Sequence, residues 1–281
     1  MNLKISGLLF QRSPFVSMNM NESPIGVFDS GVGGLSVLRH IRNQLPHENL
    51  LYVADSAYAP YGSRSSEEIQ ERSLALAEFL IGEGAKALVV ACNTATASAA
   101  ALLRKRYALP IVAMEPAVKP AVETTRNGII GVLATSSMLK SAQFSALLES
   151  YGKGVQIITR AGIGLVECVE RGDLDGDEVK TLLQDYLTPM LEQGADTLVL
   201  GCTHYPFLRP VIDQVACGRM SIIDTGAAVA SHLRQRIEDA GIATARPGHG
   251  EASFWTSGSA DQANEVMSRL WAWSSHYPGD V

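Results

Sequence analysis

The chain has 281 residues, of which 46% are hydrophobic and 19% charged, and its formal net charge is −6. This composition is typical of a globular protein with one large domain or two smaller ones. The acidic balance argues against a nucleic-acid partner. No apolar stretch reaches the roughly 18 residues that a membrane span needs, so we expect no membrane partner either.

The four cysteines are sparse for this length and form no Cys-x-x-Cys pair, which argues against a disulfide framework and a structural zinc site. A reducing, cytoplasmic location fits this cysteine usage. Residues 1–22 contain no signal-peptide cleavage pattern. We expect them to form an N-terminal extension that the fold does not need.

Short apolar runs alternate with amphipathic stretches along the rest of the chain. Most runs are continuous rather than alternating, as in strands buried on both faces of a parallel sheet. The alternation predicts an α/β fold with right-handed crossovers. The predicted strands are 25–28, 50–54, 87–91, 111–113, 129–133, 155–158, 197–200, 221–223 and 252–256, and the clearest helical patterns are 66–81, 137–151, 176–193 and 227–240.

Two segments of the chain recur about 110 residues later. GAKALVVACN, ending at Asn93, is echoed by GADTLVLGCT, ending at Thr203, and IGVFDS, ending at Ser30, is echoed by IGVLAT, ending at Thr135. The echoes predict two similar α/β domains related by a pseudo-twofold axis, with the functional site in the cleft between them. We expect residues 23–115 plus 225–275 to form the first domain and residues 116–224 the second.

Each copy of the longer echo ends in a cysteine, Cys92 or Cys202. A thiol at the carboxyl end of a parallel strand lies where open α/β folds bind ligands. The following helix start should lower its pKa. A single buried cysteine is usually inert, but a matched pair favours a reaction with an acid and a base on opposite faces of a substrate. His204 follows Cys202 closely and could exchange protons with it, whereas two such ligands alone are a weak zinc signal.

The loop FDSGVGGLSVLR joins the first strand to a helix. Its glycines allow close approach of a ligand, and the helix start attracts anions. A dinucleotide site, with Asp55 on the ribose, is one interpretation. Ser36 in place of the third glycine and Asp29 ahead of the glycines weaken it. Plain turn glycines are the other alternative.

Two further segments could contribute to a site. The loop at 57–63 contains Tyr61 and Gly62, which either cover a ligand or simply form a turn. Glu167 and Glu170 are three residues apart and share a helix face. Either could orient His204, or both could be solvated.

Together, FDSGVGGLSV, YAPYG, ACNTAT, IGVLAT and LGCTHYP resemble glutamate racemase, a cofactor-independent group in the aspartate/glutamate racemase superfamily. The resemblance runs from about residue 23 to the C-terminal helix. Many members have a Cys-Pro pair where this chain has Ala161 and Gly162. The assisting glutamate of the family aligns best with Glu170, and Glu167 stays open.

The resemblance implies that Cys92 and Cys202 are the catalytic pair, with Asp29 assisting Cys92, and His204 with Glu170 assisting Cys202. It implies no cofactor and no metal. The substrate-binding residues it implies are Asp29, Ser30, Tyr61, Gly62, Asn93, Thr94, Thr135, Thr203 and His204.

The implied reaction interconverts L- and D-glutamate and supplies D-glutamate for peptidoglycan. One thiolate would remove the Cα proton while the opposite thiol delivers another, with hydrogen-bond donors around the carboxylate stabilising the carbanion. Glutamate is then the ligand, and a homodimer or a monomer is expected. The alternatives are a racemase of another acidic amino acid such as aspartate, and a two-lobed carboxylate-binding protein without catalysis.

Overall fold

The computed structural model describes residues 20–272, which contain two parallel β-sheets flanked by helices. Parts of the proposed extension (1–19) and of the proposed first domain (273–275) lie outside this range. The strands are β1 (Ile25–Asp29), β2 (Leu50–Ala54), β3 (Ala87–Val90), β4 (Ile111–Ala113), β5 (Ile129–Ala134), β6 (Gln156–Ala161), β7 (Thr197–Gly201), β8 (Ser221–Ile223) and β9 (Ala252–Thr256).

The helices lie between these strands and after the last one. They are α1 (Leu35–Gln44), α2 (Ser66–Gly82), α3 (Asn93–Arg106), α4 (Val118–Thr124), α5 (Ser136–Leu139), α6 (Ala142–Tyr151), α7 (Leu165–Glu170), α8 (Asp177–Glu192), α9 (Arg209–Ala216), α10 (Gly226–Asp239) and α11 (Ala260–Ala272). Short 3₁₀ turns occur at Met20–Glu22, Ser56–Tyr58, Tyr61–Ser63 and Tyr205–Leu208. Within residues 20–272, no helix has the length and apolar character of a membrane span.

The two sheets repeat one topology. The first has the order β4-β3-β1-β2-β9 and the second the order β6-β5-β7-β8, with every pairing parallel. Matching β1 to β5 and β3 to β7, as the sequence echoes require, also matches β2 to β6 and β4 to β8. The prediction of two similar α/β domains with parallel sheets is therefore confirmed.

Burial explains why the strands are continuous apolar runs. All residues of β1, β2, β3 and β7 are buried, as expected for central strands covered by helices on both faces. After β8 the chain returns to the first sheet, where α10 packs on α1 and β9 pairs with β2. The domain boundaries given above stay a prediction.

One predicted helix is wrong in detail, because the pattern at 137–151 forms two helices, α5 and α6. The break comes at Ser141, whose hydroxyl accepts a hydrogen bond from the Phe144 backbone N–H at 3.1 Å and so caps a new helix. The first helix has its own cap at Thr135. This places the Thr135 side chain at the end of β5.

The start of the described chain is tied to the first sheet. The carbonyl of Asn21 accepts a hydrogen bond from Lys86 Nζ at 2.7 Å, and that of Glu22 accepts one from Asn49 at 2.9 Å. Lys86 also forms a buried ion pair with Glu48 at 2.6 Å. A chain starting at residue 23 would lose both hydrogen bonds.

Candidate active site

A pocket lies where strands of both sheets end. Nearly all the predicted substrate-binding residues meet here although they come from both halves of the chain. The lining comprises Ser30, Pro60, Tyr61, Gly62, Cys92, Asn93, Thr94, Thr135, Val166, Gly201, Cys202, Thr203 and His204.

Cys92 follows β3 and caps α3. Its sulfur accepts a hydrogen bond from the Ala95 backbone N–H at 3.5 Å and donates one to Ser30 Oγ at 3.7 Å. Burial, with the nearby Asp29 carboxylate, nevertheless raises the pKa of the Cys92 thiol well above its ordinary value. The expectation of a lowered pKa is therefore wrong for Cys92, because one helix N–H does not offset lost solvation and an adjacent anion.

Asp29, at the end of β1, is fully buried and touches both halves. Its Oδ1 accepts hydrogen bonds from the Ser30 N–H at 2.6 Å and from Ser30 Oγ at 3.1 Å. Its Oδ2 accepts one from Thr203 Oγ1 at 3.0 Å. Burial raises the pKa of Asp29, and the nearby His204 opposes that rise.

Cys202 follows β7. Its sulfur lies beside His204, and His204 in turn contacts Glu170. His204 Nδ1 lies 3.6 Å from Cys202 Sγ, and His204 Nε2 lies 2.6 Å from Glu170 Oε1. Burial alone would lower the pKa of His204. The hydrogen bonds to Cys202 and Glu170 outweigh burial and raise that pKa well above its ordinary value. The ring is therefore an imidazolium near neutral pH.

Comparison with known proteins places this geometry in a family. The family model for Asp/Glu/hydantoin racemases matches residues 25–233. The chain belongs to this family. A glutamate racemase from Pseudomonas aeruginosa is 53% identical over 255 residues, covering 90% of this chain and 96% of the relative. One from Methylococcus capsulatus is 53% identical over 254 residues, covering 90% and 94%.

A solved structure agrees with this assignment. A glutamate racemase isoform from Bacillus anthracis superposes with a TM-score of 0.82 at 33% identity, covering 90% of this chain and 96% of that one. The resemblance seen in the sequence is thus confirmed, and the protein is an enzyme of the glutamate racemase group.

Within this racemase, the contacts distinguish the two candidate glutamates on α7. Glu170 contacts His204, whereas Glu167 is exposed to solvent. Although the two glutamates are one helical turn apart, only Glu170 reaches His204. Glu170 also accepts a hydrogen bond from the Val32 backbone N–H at 2.8 Å, which ties α7 to the glycine-rich loop of the first half.

That contact gives the glycine-rich loop a role that neither sequence interpretation included. A Cβ on Gly31 would collide with the Glu170 carboxylate, and a Cβ on Gly33 would collide with the His204 ring. One N–H group of the loop, that of Val32, does bind an anion, three residues before α1 begins. The anion is the protein's own Glu170, so the dinucleotide interpretation is not needed.

The loop with Tyr61 and Gly62 is held from both halves. Tyr61 donates a hydrogen bond to Asp55 at 2.6 Å, and Arg72 binds the same carboxylate through two nitrogens at 2.8 and 2.9 Å. The Gly62 carbonyl accepts a hydrogen bond from Ser137 Oγ at 2.5 Å. Sequence reasoning had considered Asp55 only as a ribose ligand and had missed Arg72 and Ser137.

Neutral donors cluster on the remaining wall of the pocket. Thr94 Oγ1 and Thr135 Oγ1 lie 3.0 Å apart. The side-chain oxygen and nitrogen of Asn93 are both buried and have no hydrogen-bond partner among the described residues. Because buried polar groups are almost always paired, the Asn93 amide points to a ligand with both donors and acceptors.

Cys168, Asp173 and Glu178 are the one group in residues 20–272 whose ligand atoms lie close enough together to share a metal ion. The guanidinium of Arg171 already lies 3.5 Å from Cys168 Sγ and 2.8 Å from Glu178 Oε2. Arg171 thus already supplies a positive charge to this cluster, and none of the three potential metal ligands lines the pocket.

Proposed function

We propose that the protein interconverts L- and D-glutamate by a two-base reaction in which Cys92 and Cys202 act on opposite faces of Cα. The observation that carries this proposal is that the two thiols follow equivalent strands, β3 and β7, of two sheets with one topology, and line the same pocket. Side chains at equivalent positions of two facing halves approach a ligand from opposite sides.

The protonation states suit this reaction. In the direction from L- to D-glutamate, the Cα–H bond breaks toward Cys202 Sγ, and its electron pair stays on Cα. The S–H bond of Cys92 then breaks, and its proton adds to the opposite face of Cα. The raised pKa of Cys92 keeps it a thiol, ready to donate. The His204 imidazolium can donate a hydrogen bond to the Cys202 sulfur.

Besides His204, whose ring nitrogens contact Cys202 and Glu170, the pocket lining contains no cationic side chain, so neutral groups are the candidates for binding the substrate carboxylates. We assign this role to Ser30, Asn93, Thr94 and Thr135, with Tyr61 and Gly62 covering the ligand and Thr203 beside it. Donors held in a water-poor site stabilise developing negative charge without reorganising. Asp29, beneath Cys92, acts through that thiol and through Thr203 rather than on the reacting carbon.

The cellular role follows from the family rather than from the site. We propose that the enzyme works in the cytoplasm and supplies D-glutamate for peptidoglycan, as a homodimer or a monomer. A structure of the Escherichia coli glutamate racemase contains L-glutamate and the activator UDP-MurNAc-Ala, and superposes with a TM-score of 0.78 at 33% identity, covering 88% of this chain and 95% of that one.

Incubation with L-glutamate in D₂O tests the proposal. We expect optical rotation to decay to zero while the D-glutamate formed carries deuterium at Cα. Faster decay with L-aspartate would favour the aspartate alternative. Saturable glutamate binding without exchange at Cα would favour the carboxylate-binding protein.

A further inference from the structure

Tyr52 is a buried polar side chain that the reaction described above does not use. It lies in the middle of β2, is 0% exposed and does not line the substrate pocket. The hydroxyl of a buried tyrosine usually has a hydrogen-bond partner, and this one donates to the Gly31 carbonyl at 2.6 Å. Burial and the nearby Asp29 carboxylate raise the pKa of Tyr52 well above its ordinary value, so the hydroxyl keeps its proton and remains a donor.

The Gly31 carbonyl and the Val32 N–H belong to one peptide group. The carbonyl accepts the hydrogen bond from Tyr52, and the N–H donates to Glu170 Oε1 at 2.8 Å. This peptide bond is trans, so its C=O and N–H point in opposite directions in one plane. A contact that fixes the oxygen therefore also fixes the direction of the N–H. The Tyr52 hydroxyl and the Glu170 carboxylate thus hold the peptide from opposite sides.

Glycine at position 31 makes this outside contact necessary. A Cβ there would collide with the Glu170 carboxylate, so glycine is the residue that leaves room for it. Glycine also tolerates a wider range of backbone angles than other residues, so the chain itself fixes the following peptide poorly. The hydrogen bond from Tyr52 supplies the restraint that a side chain at position 31 cannot.

The ring of Tyr52 is held firmly by the first sheet. Tyr52 is in register with Val27 of β1 and with Phe254 of β9. Its ring centroid lies 6.3 Å from that of Phe254, which in turn lies 5.3 Å from that of Trp271 on α11. A phenylalanine at position 52 would keep these apolar contacts. The hydroxyl can therefore be removed without emptying the core.

We propose that Tyr52 is a positioning residue for the reaction and acts through Glu170. By fixing the Gly31–Val32 peptide, it keeps the Glu170 carboxylate 2.6 Å from His204 Nε2 and so keeps the imidazolium beside the Cys202 sulfur. The inference rests on the two-base reaction proposed above, in which Cys202 is one of the bases.

Tyr52→Phe tests this role because it removes only the hydroxyl. The Gly31 carbonyl loses its partner, and the Val32 N–H no longer meets the carboxylate in a fixed direction. A neutral hydrogen bond is worth roughly 2- to 12-fold in an equilibrium constant, so we expect kcat from L-glutamate to fall about five-fold. KM should stay close to that of the wild type, because Tyr52 does not line the pocket.

A double-mutant cycle with Glu170→Ala shows whether the effect passes through the carboxylate. Without the carboxylate, the Val32 N–H has nothing to hold. Adding Tyr52→Phe to Glu170→Ala should therefore leave kcat close to that of Glu170→Ala alone, since residues that act through one another are not additive. A general loosening of the fold would lower kcat in either background. Long incubations in D₂O, followed by NMR of Cα deuteration, measure the slow variants.

Tyr186→Phe is the matched control. The Tyr186 hydroxyl also donates to a loop carbonyl, that of Ile163 at 2.8 Å, but neither residue lines the pocket. We expect this variant to have the kcat and KM of the wild type. Melting temperatures of all the variants check that they fold.

Wild-type kcat in folded Tyr52→Phe would overturn the inference, and so would an equal loss of kcat in the wild-type and Glu170→Ala backgrounds. A raised KM with unchanged kcat would also overturn it, because the hydroxyl would then serve substrate binding. Failure of the proposed function gives a different result: the wild-type enzyme would form no D-glutamate, or would form it without Cys202.

Discussion

The surroundings of Cys92 and Cys202 differ in charge although the backbone around them repeats. Cys92 follows β3 and Cys202 follows β7, which are equivalent strands of two sheets with the same topology. Behind Cys92 lies Asp29, a fully buried carboxylate, whereas behind Cys202 lies an imidazolium paired with Glu170. The repeated fold thus places two thiols at equivalent positions and surrounds them with neighbours that differ in charge.

The comparison also shows how the halves depend on each other. Thr203, from the second half, donates to Asp29 of the first, and Val32, from the first half, donates to Glu170 of the second. Each cysteine is therefore supported by a carboxylate that the opposite half holds in place. Changes on one side should be felt on the other.

Removing either thiol should have the largest effect. We expect Cys92→Ala and Cys202→Ala each to lower kcat by about 10³-fold or more, since a positioned acid or base is worth roughly 10²–10⁴-fold and each direction needs both. Cys168→Ala and Cys217→Ala are the controls, because neither lines the pocket. A circular-dichroism assay of racemisation measures all four. Sustained turnover in either of the first two variants would remove the two-base account.

Gly33→Ala tests whether the glycine-rich loop of the first half positions His204 of the second half. The added methyl group collides with the His204 ring, and a displacement of about 1 Å in an active site can cost roughly 100-fold in rate. We expect a loss in kcat of that order. Gly82→Ala is the control, because no atom lies within 4 Å of the added Cβ. Full activity of Gly33→Ala would show that the ring tolerates displacement.

Glu170→Gln removes the charge that holds the imidazolium. A hydrogen bond to a charged group is worth about 1.5–3 kcal/mol, so we expect a loss in kcat of roughly 10- to 100-fold. The pKa of His204, followed by NMR, should fall toward its ordinary value. Glu167→Gln, an exposed change on the same helix, should alter neither.

The same pair predicts a pH dependence of stability. The folded pKa of His204 is raised above its unfolded value of about 6.5. The stabilisation that this raised pKa provides is therefore complete at pH values below about 6.5 and is lost as the pH rises through the folded pKa of His204. The comparison is made above the acid range in which carboxylates titrate. The gap in unfolding free energy between wild type and Glu170→Gln should narrow accordingly. A gap that widens with pH would contradict the imidazolium.

Much of this arrangement could be predicted from the sequence. The strands are short, continuous apolar runs, so their positions could be predicted. The echoes around Cys92 and Cys202 predicted the repeated topology. The close approach of the Glu170 carboxylate to Gly31 could not be predicted from the sequence, because packing brings together two residues that are 139 positions apart in the chain. The hold of Asp55 on Tyr61 and the direction of the Cys92 pKa shift likewise depend on burial and neighbours known only from the fold.

Racemisation kinetics cannot assign a thiol to a face. L- and D-glutamate have equal free energy, so kcat/KM must be the same in both directions for any variant. A one-way reaction escapes this limit. Elimination of a β-leaving group from a substrate analogue needs one base only, and its rate can be measured for each enantiomer separately.

The most direct measurement is therefore this elimination in Cys92→Ser and Cys202→Ser. Serine is a poor base because of its high pKa, but it can still donate a proton. Cys92→Ser should retain elimination from the L-enantiomer, through Cys202, and Cys202→Ser should retain it from the D-enantiomer, through Cys92. The same enantiomer preference in both variants would place the two thiols on one face of the substrate and contradict the two-base account.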